Sequence, residues 1–264
     1  MKILIKGAGD LASGIAVRLV RAGYDVLMTE IAIPTTVRRM VAFSRAVYEG
    51  KAEVEGIRGK LVHTIKEVEE VQNKGGIPII IDEKATISKE YQPEVIVDAI
   101  IAKVNLGTRI DEAPLIIGVG PGFEVGKDCH AVVETKRGHY LGKVILEGSA
   151  IPNTGVPGSI GGFTNERIIR AKARGEFKPI AKIGDHVEKD QVIAYSGGEP
   201  IHSEMEGIIR GMLQSGVYVH EGMKCGDIDA RCELDHCFTV SDKARAIGGG
   251  VLEAIVCYEH EKMI

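Results

Sequence analysis

Apolar and polar positions follow two different periods along the first half of the chain. Short, almost wholly apolar runs are typical of strands that are buried on both faces of a sheet. These runs cover residues 1–6, 26–29, 60–62, 77–81, 95–101 and 115–119. After the first run, Leu11, Ile15 and Leu19 recur at helical spacing, and Gly23 ends that helix. This alternation predicts right-handed crossovers and a doubly wound parallel sheet in an α/β fold.

Two more helices are expected between these strands. Thr64 and Glu67 match a capping box, and the apolar residues that follow give the helix a buried face. Residues 34–36 resemble a helix cap, and an apolar stripe follows over residues 37–41.

The first strand runs directly into a G-x-G-x-x-A turn that contains Gly7, Gly9 and Ala12. In dinucleotide-binding turns the first glycine permits the tight turn, the second lets the backbone approach a pyrophosphate, and the small third residue lets the helix pack closely. The helix start, with Asp10 and Leu11, faces the anion. We therefore expect a Rossmann-like domain in which these five residues bind a nucleotide or dinucleotide. A vestigial site on the same fold is the alternative.

Further candidates follow the other strands. Glu30 ends the second strand, where an acidic residue usually holds a ribose hydroxyl, and its charge would repel the 2′-phosphate of an NADP-type ligand. Because ligands lie outside the carboxyl ends of parallel strands, the later loops add candidates at the same edge. These are Asp82, Lys103, Asn105, Gly120 and Gly122. Lys103 and Asn105 would share one side if their strand continues through them.

The segment 127–146 is predicted to form a strand, a turn at Gly138 and a returning strand. His130 and Glu134 would then face one side of the first strand, with Arg137 and His139 at the turn. Together with Lys103 these are the candidate catalytic residues, since such a set can bind an anion, shuttle a proton or hold a metal. A polar hairpin at a domain junction is the equally weighted alternative.

The second half has a different character. A glycine- and proline-rich stretch over 148–162 marks a boundary, and a short basic helix is expected over 165–174. From about residue 175, a G-D-x-V element and a related glycine–valine element resemble the barrel-sandwich hybrid of biotinyl and lipoyl domains. Their carrier hairpin corresponds to residues 196–200, which contain no lysine, so neither biotin nor lipoate is expected.

Four segments are predicted on this basis. They are a nucleotide-binding domain with a hairpin extension over 1–150, a linker over 151–174, a β domain over 175–240, and a glycine-rich turn with a helix over 241–264. In the last segment, Lys243 and Arg245 precede three glycines and form a second candidate anion cradle, or else a flexible turn before a helix.

Composition narrows the partners. The chain has 264 residues, a net charge of −4 and no tryptophan, which disfavours nucleic acid and anionic membrane surfaces. No apolar run reaches the length of a membrane span, and Met1 leads directly into a strand rather than a signal peptide. The five cysteines are then expected to be reduced thiols in a cytoplasmic protein. The spacing of Cys225, Cys232 and Cys237 does not match a structural zinc site, so no metal is expected.

Several short motifs together resemble the YqeB-type family of the selenium-dependent molybdenum hydroxylase system. They are K-G-A-G-D-L-A-S-G, T-E at 29–30, G-P-G-F at 120–123, E-T-K-R-G-H at 134–139, N-T-G-V-P-G at 153–158 and S-D-K-A-R-A-I-G-G-G at 241–250. The resemblance covers essentially the whole chain. It implies an accessory protein that matures molybdenum hydroxylases, with a hydroxylase or its maturation factors as partners. No catalytic residue carries over from it.

The expected ligand is a nucleotide, NAD or the pterin dinucleotide form of the molybdenum cofactor, held by Gly7 to Ala12 and Glu30. One alternative is an NAD-dependent oxidoreductase in which His139 or Lys103 donates a proton. Another is a non-catalytic scaffold whose barrel docks a hydroxylase subunit. Whether a reaction is catalysed, and whether the protein forms a homo-oligomer, are both left open by the sequence.

Overall fold

The computed structural model describes residues 1–153, 155 and 162–262. The chain divides into two compact units. Unit 1 comprises residues 1–34, 42–154 and 240–264, and unit 2 comprises residues 35–41 and 155–239. Of the predicted glycine- and proline-rich loop, residues 154 and 156–161 lie outside the described residues. None of the described helices combines the length and apolar character needed to cross a bilayer.

The described part of unit 1 contains a nine-stranded sheet. Its strands are β1 (Lys2–Lys6), β2 (Asp25–Glu30), β3 (Lys51–Val54), β4 (Ile57–Val62), β5 (Ile77–Ile81), β6 (Val95–Asp98), β7 (Leu115–Val119), β8 (Ala131–Val133) and β9 (Val144–Ile145). The order is β3-β4-β5-β2-β1-β6-β7-β8-β9. The seven inner strands of this order, which run from β4 through β1 to β8, pair in parallel. The edge strands β3 and β9 pair antiparallel to their neighbours. The predicted α/β class with a large sheet of parallel strands is confirmed.

Five α-helices are described. They are α1 (Asp10–Arg21), α2 (Ala46–Glu49), α3 (Ile65–Gln72), α4 (Ser88–Tyr91) and α5 (Asp242–Lys262). The capping box of Thr64 and Glu67 is present at the start of α3, as predicted. Leu4 and Ile96, on one face of the sheet, share a core cluster with Val68 of α3 and Tyr91 of α4. Helices α1 and α5 pack against each other, and α5 also contacts β7, β8 and β9.

The helix predicted from residues 34–36 onward is wrong. The segment instead contains two 3-10 turns, Arg39–Val41 and Phe43–Arg45, with Ala42 extended between them. The carbonyl of Val37 accepts a hydrogen bond from the Met212 N–H at 2.8 Å. This non-local backbone pairing replaces the local hydrogen bonds that a helix would need.

The glycine-rich turn predicted near residue 248 is also wrong, because Gly248, Gly249 and Gly250 all lie inside α5. A Cβ on Gly248 would stand 3.1 Å from the carbonyl oxygen of Gly14, and a Cβ on Gly14 would stand 2.7 Å from the Cβ of Ala244. Glycine therefore serves close helix packing here, which outweighs its cost of about 1 kcal/mol in a helix interior.

Unit 2 contains eight described strands. They are β10 (Ile168–Arg170), β11 (Gly175–Pro179), β12 (His186–Val187), β13 (Val192–Ser196), β14 (Glu199–His202), β15 (Gly207–Met212), β16 (Tyr218–Val219) and β17 (Lys224–Asp229). They form two four-stranded antiparallel sheets, β10-β17-β15-β12 and β14-β13-β11-β16. Residues of both sheets, including Phe177 and Ile209, share one core.

The helix predicted over 165–174 is wrong, since part of it forms β10. Ile168 and Ile169 are both buried, and Ile168 lies opposite Asp227 of β17. Pairing with that neighbouring strand overrides the local helical preference. The hairpin predicted over 196–200 is confirmed, with Gly197 and Gly198 in left-handed conformations between β13 and β14.

Candidate functional site

The glycine turn after β1 has the conformation that its sequence predicts. Gly7 has a φ of 92°, and its N–H donates to the Thr29 carbonyl at 3.0 Å. A Cβ at this position would stand 3.1 Å from both the Ala99 carbonyl oxygen and the Ile100 Cα. Gly7 is thus required by its positive φ and by the close approach of the chain that leaves β6.

Helix α1 begins at this turn. Its N-cap is Gly9, which is extended and supplies no side-chain hydrogen bond to the helix start. The first N–H groups of an α-helix have no partner within the helix. The start of α1 at Asp10 therefore has the geometry of an anion-binding terminus, as the sequence predicts.

Ser13 buttresses the turn from behind, a role that the sequence did not reveal. Its hydroxyl donates to the Ala8 carbonyl at 3.1 Å and accepts from the Phe43 N–H at 2.8 Å. The Ser44 N–H also donates to the Ala8 carbonyl, at 2.8 Å. A small polar residue inside an otherwise apolar helix stripe was the available signal. These bonds fix the turn before any ligand arrives.

Glu30 lies directly beneath the turn. Its carboxylate accepts the Ala8 N–H at 3.0 Å and the Ile31 N–H at 2.9 Å. Burial raises the pKa of Glu30, and the two backbone hydrogen bonds offset only part of that effect. The predicted ribose-binding residue is therefore hydrogen-bonded to the glycine turn, and its charge strengthens the bond to the Ala8 N–H.

The two cations of the second candidate anion cradle, Lys243 and Arg245, have different environments. Burial lowers the pKa of Lys243 and so does the charge of Arg137, whereas Asp10, Glu134 and Asp242 raise it. Ala244, the residue after Lys243, packs on Gly14, so the start of α5 lies against α1. The guanidinium of Arg245 instead donates to Glu55 at 2.5 Å.

Arg137 forms a two-pronged pair with Asp242, at 2.7 and 3.1 Å. Arg137 therefore reaches the start of α5, the helix in which Lys243 is the second residue. By contrast, His139 is exposed and stacks edge-on against Tyr140, with 4.9 Å between ring centroids. The structure gives His139 no other described contact with the candidate site.

Glu134 is buried at the end of β8. Its carboxylate accepts three backbone N–H groups, from Thr135 at 2.7 Å, Lys136 at 2.7 Å and Ile151 at 2.8 Å. These bonds tie the turn after β8 to the following segment. A carboxylate that accepts three backbone N–H groups makes strong charge-assisted hydrogen bonds and stabilises the fold.

His130 and Glu134 were expected to face one side of the first strand, and they have different environments, since His130 is exposed and Glu134 is buried. His130 precedes β8, and its Nδ1 accepts the Ile116 N–H at 2.9 Å. Glu134 follows the other end of that strand, so about 13 Å of extended chain separates the two positions, given a rise of about 3.3 Å per residue.

Lys103 and Asn105 do not continue a strand, because β6 ends at Asp98 and both Ile101 and Lys103 have left-handed φ angles. Lys103 is exposed. The side chain of Asn105 accepts the N–H groups of Gly107 and Thr108, both at 2.8 Å, and so shapes the loop itself.

Gly120 and Gly122 serve close packing. A Cβ on Gly120 would stand 2.7 Å from the Thr135 hydroxyl, and one on Gly122 would stand 2.7 Å from the Val104 Cα. The loops after β6, β7 and β8 therefore approach one another at the carboxyl edge of the sheet, as the sequence predicts for this edge.

A buried polar network at the same edge was missed. Lys6, the last residue of β1, donates to the Thr108 hydroxyl at 2.8 Å and to Glu112 at 2.5 Å. The Thr108 hydroxyl donates to Asp98 at 2.6 Å. In the sequence, this network is indicated only by Lys6, a lysine at the end of the apolar run Ile3–Ile5.

The cysteines are unpaired, in agreement with the sequence. Cys129, Cys225 and Cys237 are buried, and burial raises the pKa of the first two thiols to about 11. Cys232 and Cys257 are exposed. Within the described residues, no group of His, Cys, Asp and Glu side chains is arranged to hold a metal ion.

The likenesses to solved structures are weak, as three of them illustrate. An aspartoacylase family protein from Mesorhizobium loti is 12% identical with a TM-score of 0.25, covering 80% of this chain and 58% of that one. The ectoine utilization protein EutE (DoeB) from Ruegeria pomeroyi is 10% identical with a TM-score of 0.26, and the coverages are 86% and 84%. A succinylglutamate desuccinylase from Silicibacter is 12% identical with a TM-score of 0.25, with the same coverages. These scores are too low to support a functional argument.

No protein-family model matches the chain. The chain is 49% identical over 259 residues to the uncharacterized protein YqeB of Escherichia coli K12. The aligned residues make up 98% of this chain and 48% of YqeB. The chain thus spans about half the length of this curated relative. Over that half, the similarity supports the YqeB-type resemblance of the sequence.

Proposed function

We propose that unit 1 binds a phosphate-bearing nucleotide ligand at the carboxyl edge of its parallel strands. The observation that carries this proposal is the packing of α5 on α1, which places Ala244, the residue after Lys243, against Gly14 of α1, a helix whose start has no side-chain cap. Helix N–H groups and a nearby ammonium both favour an anion. Burial lowers the pKa of Lys243, and so does the charge of Arg137. A bound phosphate would relieve the repulsion between these two cations.

The strand order supports the same proposal. With the outer strand β4 set aside, the parallel strands follow the order 3-2-1-4-5-6 that is typical of Rossmann-like dinucleotide-binding sheets. The order reverses between β1 and β6, beside Gly7, and such switch points are where ligands bind. For unit 2, two four-stranded sheets around one core support a barrel-sandwich-hybrid type of module.

We further propose that the protein is a cytoplasmic maturation factor for selenium-dependent molybdenum hydroxylases. Its ligand would be a nucleotide or the pterin dinucleotide form of the molybdenum cofactor. Support comes from the motifs of the sequence and from the similarity to half of YqeB. A hydroxylase or one of its maturation factors would be the protein partner.

Calorimetric titration tests the proposed ligand class. Wild-type protein is titrated with ADP, NAD+ and the purified pterin dinucleotide, alongside the variants Lys243→Met and Arg245→Met. We expect at least one ligand to bind, and Lys243→Met to weaken its binding about tenfold through loss of a charged hydrogen bond. Arg245→Met is the matched control, since Arg245 contacts Glu55, and its affinity should stay within about twofold. Folded wild-type protein that binds none of these ligands would overturn the proposal.

An NAD-dependent oxidoreductase is the second candidate, and the strand order together with Glu30 favours it. NAD released from protein purified in its native state, with an absorbance change on reduction, is the result expected for this candidate. Binding of the pterin dinucleotide without NAD would instead favour the maturation role.

A further inference from the structure

Lys6 is a buried cation at the point where the strand order of the sheet reverses. It is 8% exposed, and its partners Asp98 and Thr108 are 2% and 4% exposed. Moving charges out of water costs several kcal/mol per ion unless hydrogen bonds compensate. An apolar residue at this strand end would avoid that cost, so the charges need a specific explanation.

The hydrogen bonds of this group have a defined direction. Lys6 lies opposite Asp98 in the register of β1 and β6. The Lys6 ammonium donates to Thr108, whose hydroxyl in turn donates to Asp98, while the other Asp98 oxygen accepts the Ile100 N–H at 3.2 Å. Burial raises the pKa of Asp98, and hydrogen bonds from Thr108 and Ile100 oppose the shift. In this series of hydrogen bonds, the Thr108 hydroxyl oxygen both accepts from Lys6 and donates to Asp98.

The network fastens a long loop without regular secondary structure to the sheet. Residues 99–114 join β6 to β7, and the described loop contains neither helix nor strand. Val104 and Leu106 are 59% and 64% exposed, so apolar burial does not hold the outer part of the loop. Thr108 and Glu112 are both bound to Lys6, which anchors the loop to the central strand of the sheet.

The same loop reaches the candidate ligand site. Ile100 packs on Gly7 of the glycine turn, since a Cβ at Gly7 would stand 3.1 Å from the Ile100 Cα. Val104 packs on Gly122 in the same way, at 2.7 Å. The loop therefore contacts both the glycine turn at Gly7 and the turn at Gly122, at the carboxyl edge of the sheet.

We propose that Lys6, Thr108, Asp98 and Glu112 form a polar clip that positions the loop 99–114 as a preformed wall of the nucleotide site. Lys6 and Thr108 are positioning residues, because they act through the loop. This inference rests on the proposed function of unit 1. A wall that is ordered before the ligand arrives lowers the entropy cost of binding, and so the clip raises affinity.

The variant Thr108→Val tests the clip, because it keeps the branched shape and removes the hydroxyl. Hydrogen exchange of the Ile100, Gly107 and Thr108 amides and the affinity for ADP are measured in full-length protein. In Thr108→Val we expect exchange to become about tenfold faster in this loop and ADP affinity to fall about tenfold, as the loss of a charged hydrogen bond predicts. Thr108→Ser keeps the hydroxyl and should restore both values to within about twofold.

Thr86→Val is the matched control. The Thr86 hydroxyl donates to Asp82 at 3.1 Å after β5 of the same sheet, but this bond lies on the protein surface. This variant should leave both measurements unchanged. If Thr108→Val does not fold, Glu112→Gln removes the ion pair with Lys6 more gently and should accelerate loop exchange about threefold.

The outcomes separate the clip from the proposed function. Unchanged loop exchange in both Thr108→Val and Glu112→Gln overturns the clip. Faster exchange with unchanged ADP affinity overturns its positioning role. If wild-type protein binds no nucleotide, the proposed function fails, and loop exchange alone then decides whether the clip holds the loop.

Discussion

Glu30 and Glu134 are two carboxylates at the same edge of one sheet, and they serve different purposes. Glu134 is 1% exposed and accepts three backbone N–H groups around its own turn. Glu30 is only partly buried and accepts two N–H groups, one of them from the glycine turn. The comparison shows that position at the carboxyl edge does not by itself identify a functional residue. Glu134 makes three such bonds and Glu30 makes two, and the proposed role of Glu30 as a ligand-binding group rests on this difference and on its bond to the glycine turn.

The largest effect is expected for Glu134→Ala. Removal of the carboxylate leaves three N–H groups without their acceptor, and an unsatisfied buried donor costs about 1–3 kcal/mol. We expect the free energy of unfolding to fall by about 3 kcal/mol in urea denaturation. Glu147→Ala, at an exposed position nearby, should change it by less than about 0.5 kcal/mol. A stable Glu134→Ala protein would remove the distinction between the two carboxylates.

A smaller and different effect is expected for Glu30→Gln. The neutral amide has one acceptor oxygen in place of two, so the glycine turn loses part of its support, and NAD+ affinity should fall about tenfold. Wild-type protein should also bind NADP+ at least about tenfold more weakly than NAD+, because Glu30 would repel the 2′-phosphate. Glu30→Gln should narrow that preference. Equal affinities of wild-type protein for NAD+ and NADP+ would argue against a ribose-binding role for Glu30.

The smallest effects concern pH, and they distinguish Glu30 from a third carboxylate, Glu55. Burial acts to raise the pKa of Glu55, but the Val240 N–H and the guanidiniums of Arg245 and Arg21 lower it overall. The stability that Glu55 contributes is thus present above its unfolded pKa and lost as pH falls through its lowered folded value. The pKa of Glu30 is raised, so its contribution declines as pH rises from its unfolded pKa through the folded value.

Urea denaturation between about pH 4 and pH 7 measures both contributions. As pH falls, the free energy of unfolding of wild-type protein should approach that of Glu55→Gln. Over the same range, the free energy of unfolding of wild-type protein should rise relative to that of Glu30→Gln. The same trend for both pairs would contradict the opposite environments assigned to the two side chains.

Local sequence patterns predicted the glycine turn, the strands and the capping box well, because each is determined by contacts among neighbouring residues. The hairpin candidates His130, Glu134 and His139 could not be sorted in the same way. Their roles depend on backbone donors from distant segments, such as the Ile151 N–H that binds Glu134. The clip at Lys6 was hidden for the same reason, since Thr108 and Glu112 reach it from a distant loop.

Tertiary pairing also explains the elements that were predicted wrongly. The segment around Val37 bonds to Met212, and the segment around Ile168 pairs with β17, so neither forms its expected helix. In α5, Gly248 reads as a turn in the sequence, yet it is the residue that lets α5 pack closely on Gly14 of α1. Glycine in a helix–helix contact and glycine in a loop are indistinguishable without the partner helix.

A crystal structure of the protein with ADP tests the central claim most directly. The account predicts a phosphate at the start of α1, accepting hydrogen bonds from backbone N–H groups at Asp10 and Leu11, with the Lys243 ammonium within hydrogen-bond distance. ADP bound at another place, with the start of α1 unoccupied at saturating concentration, would contradict it.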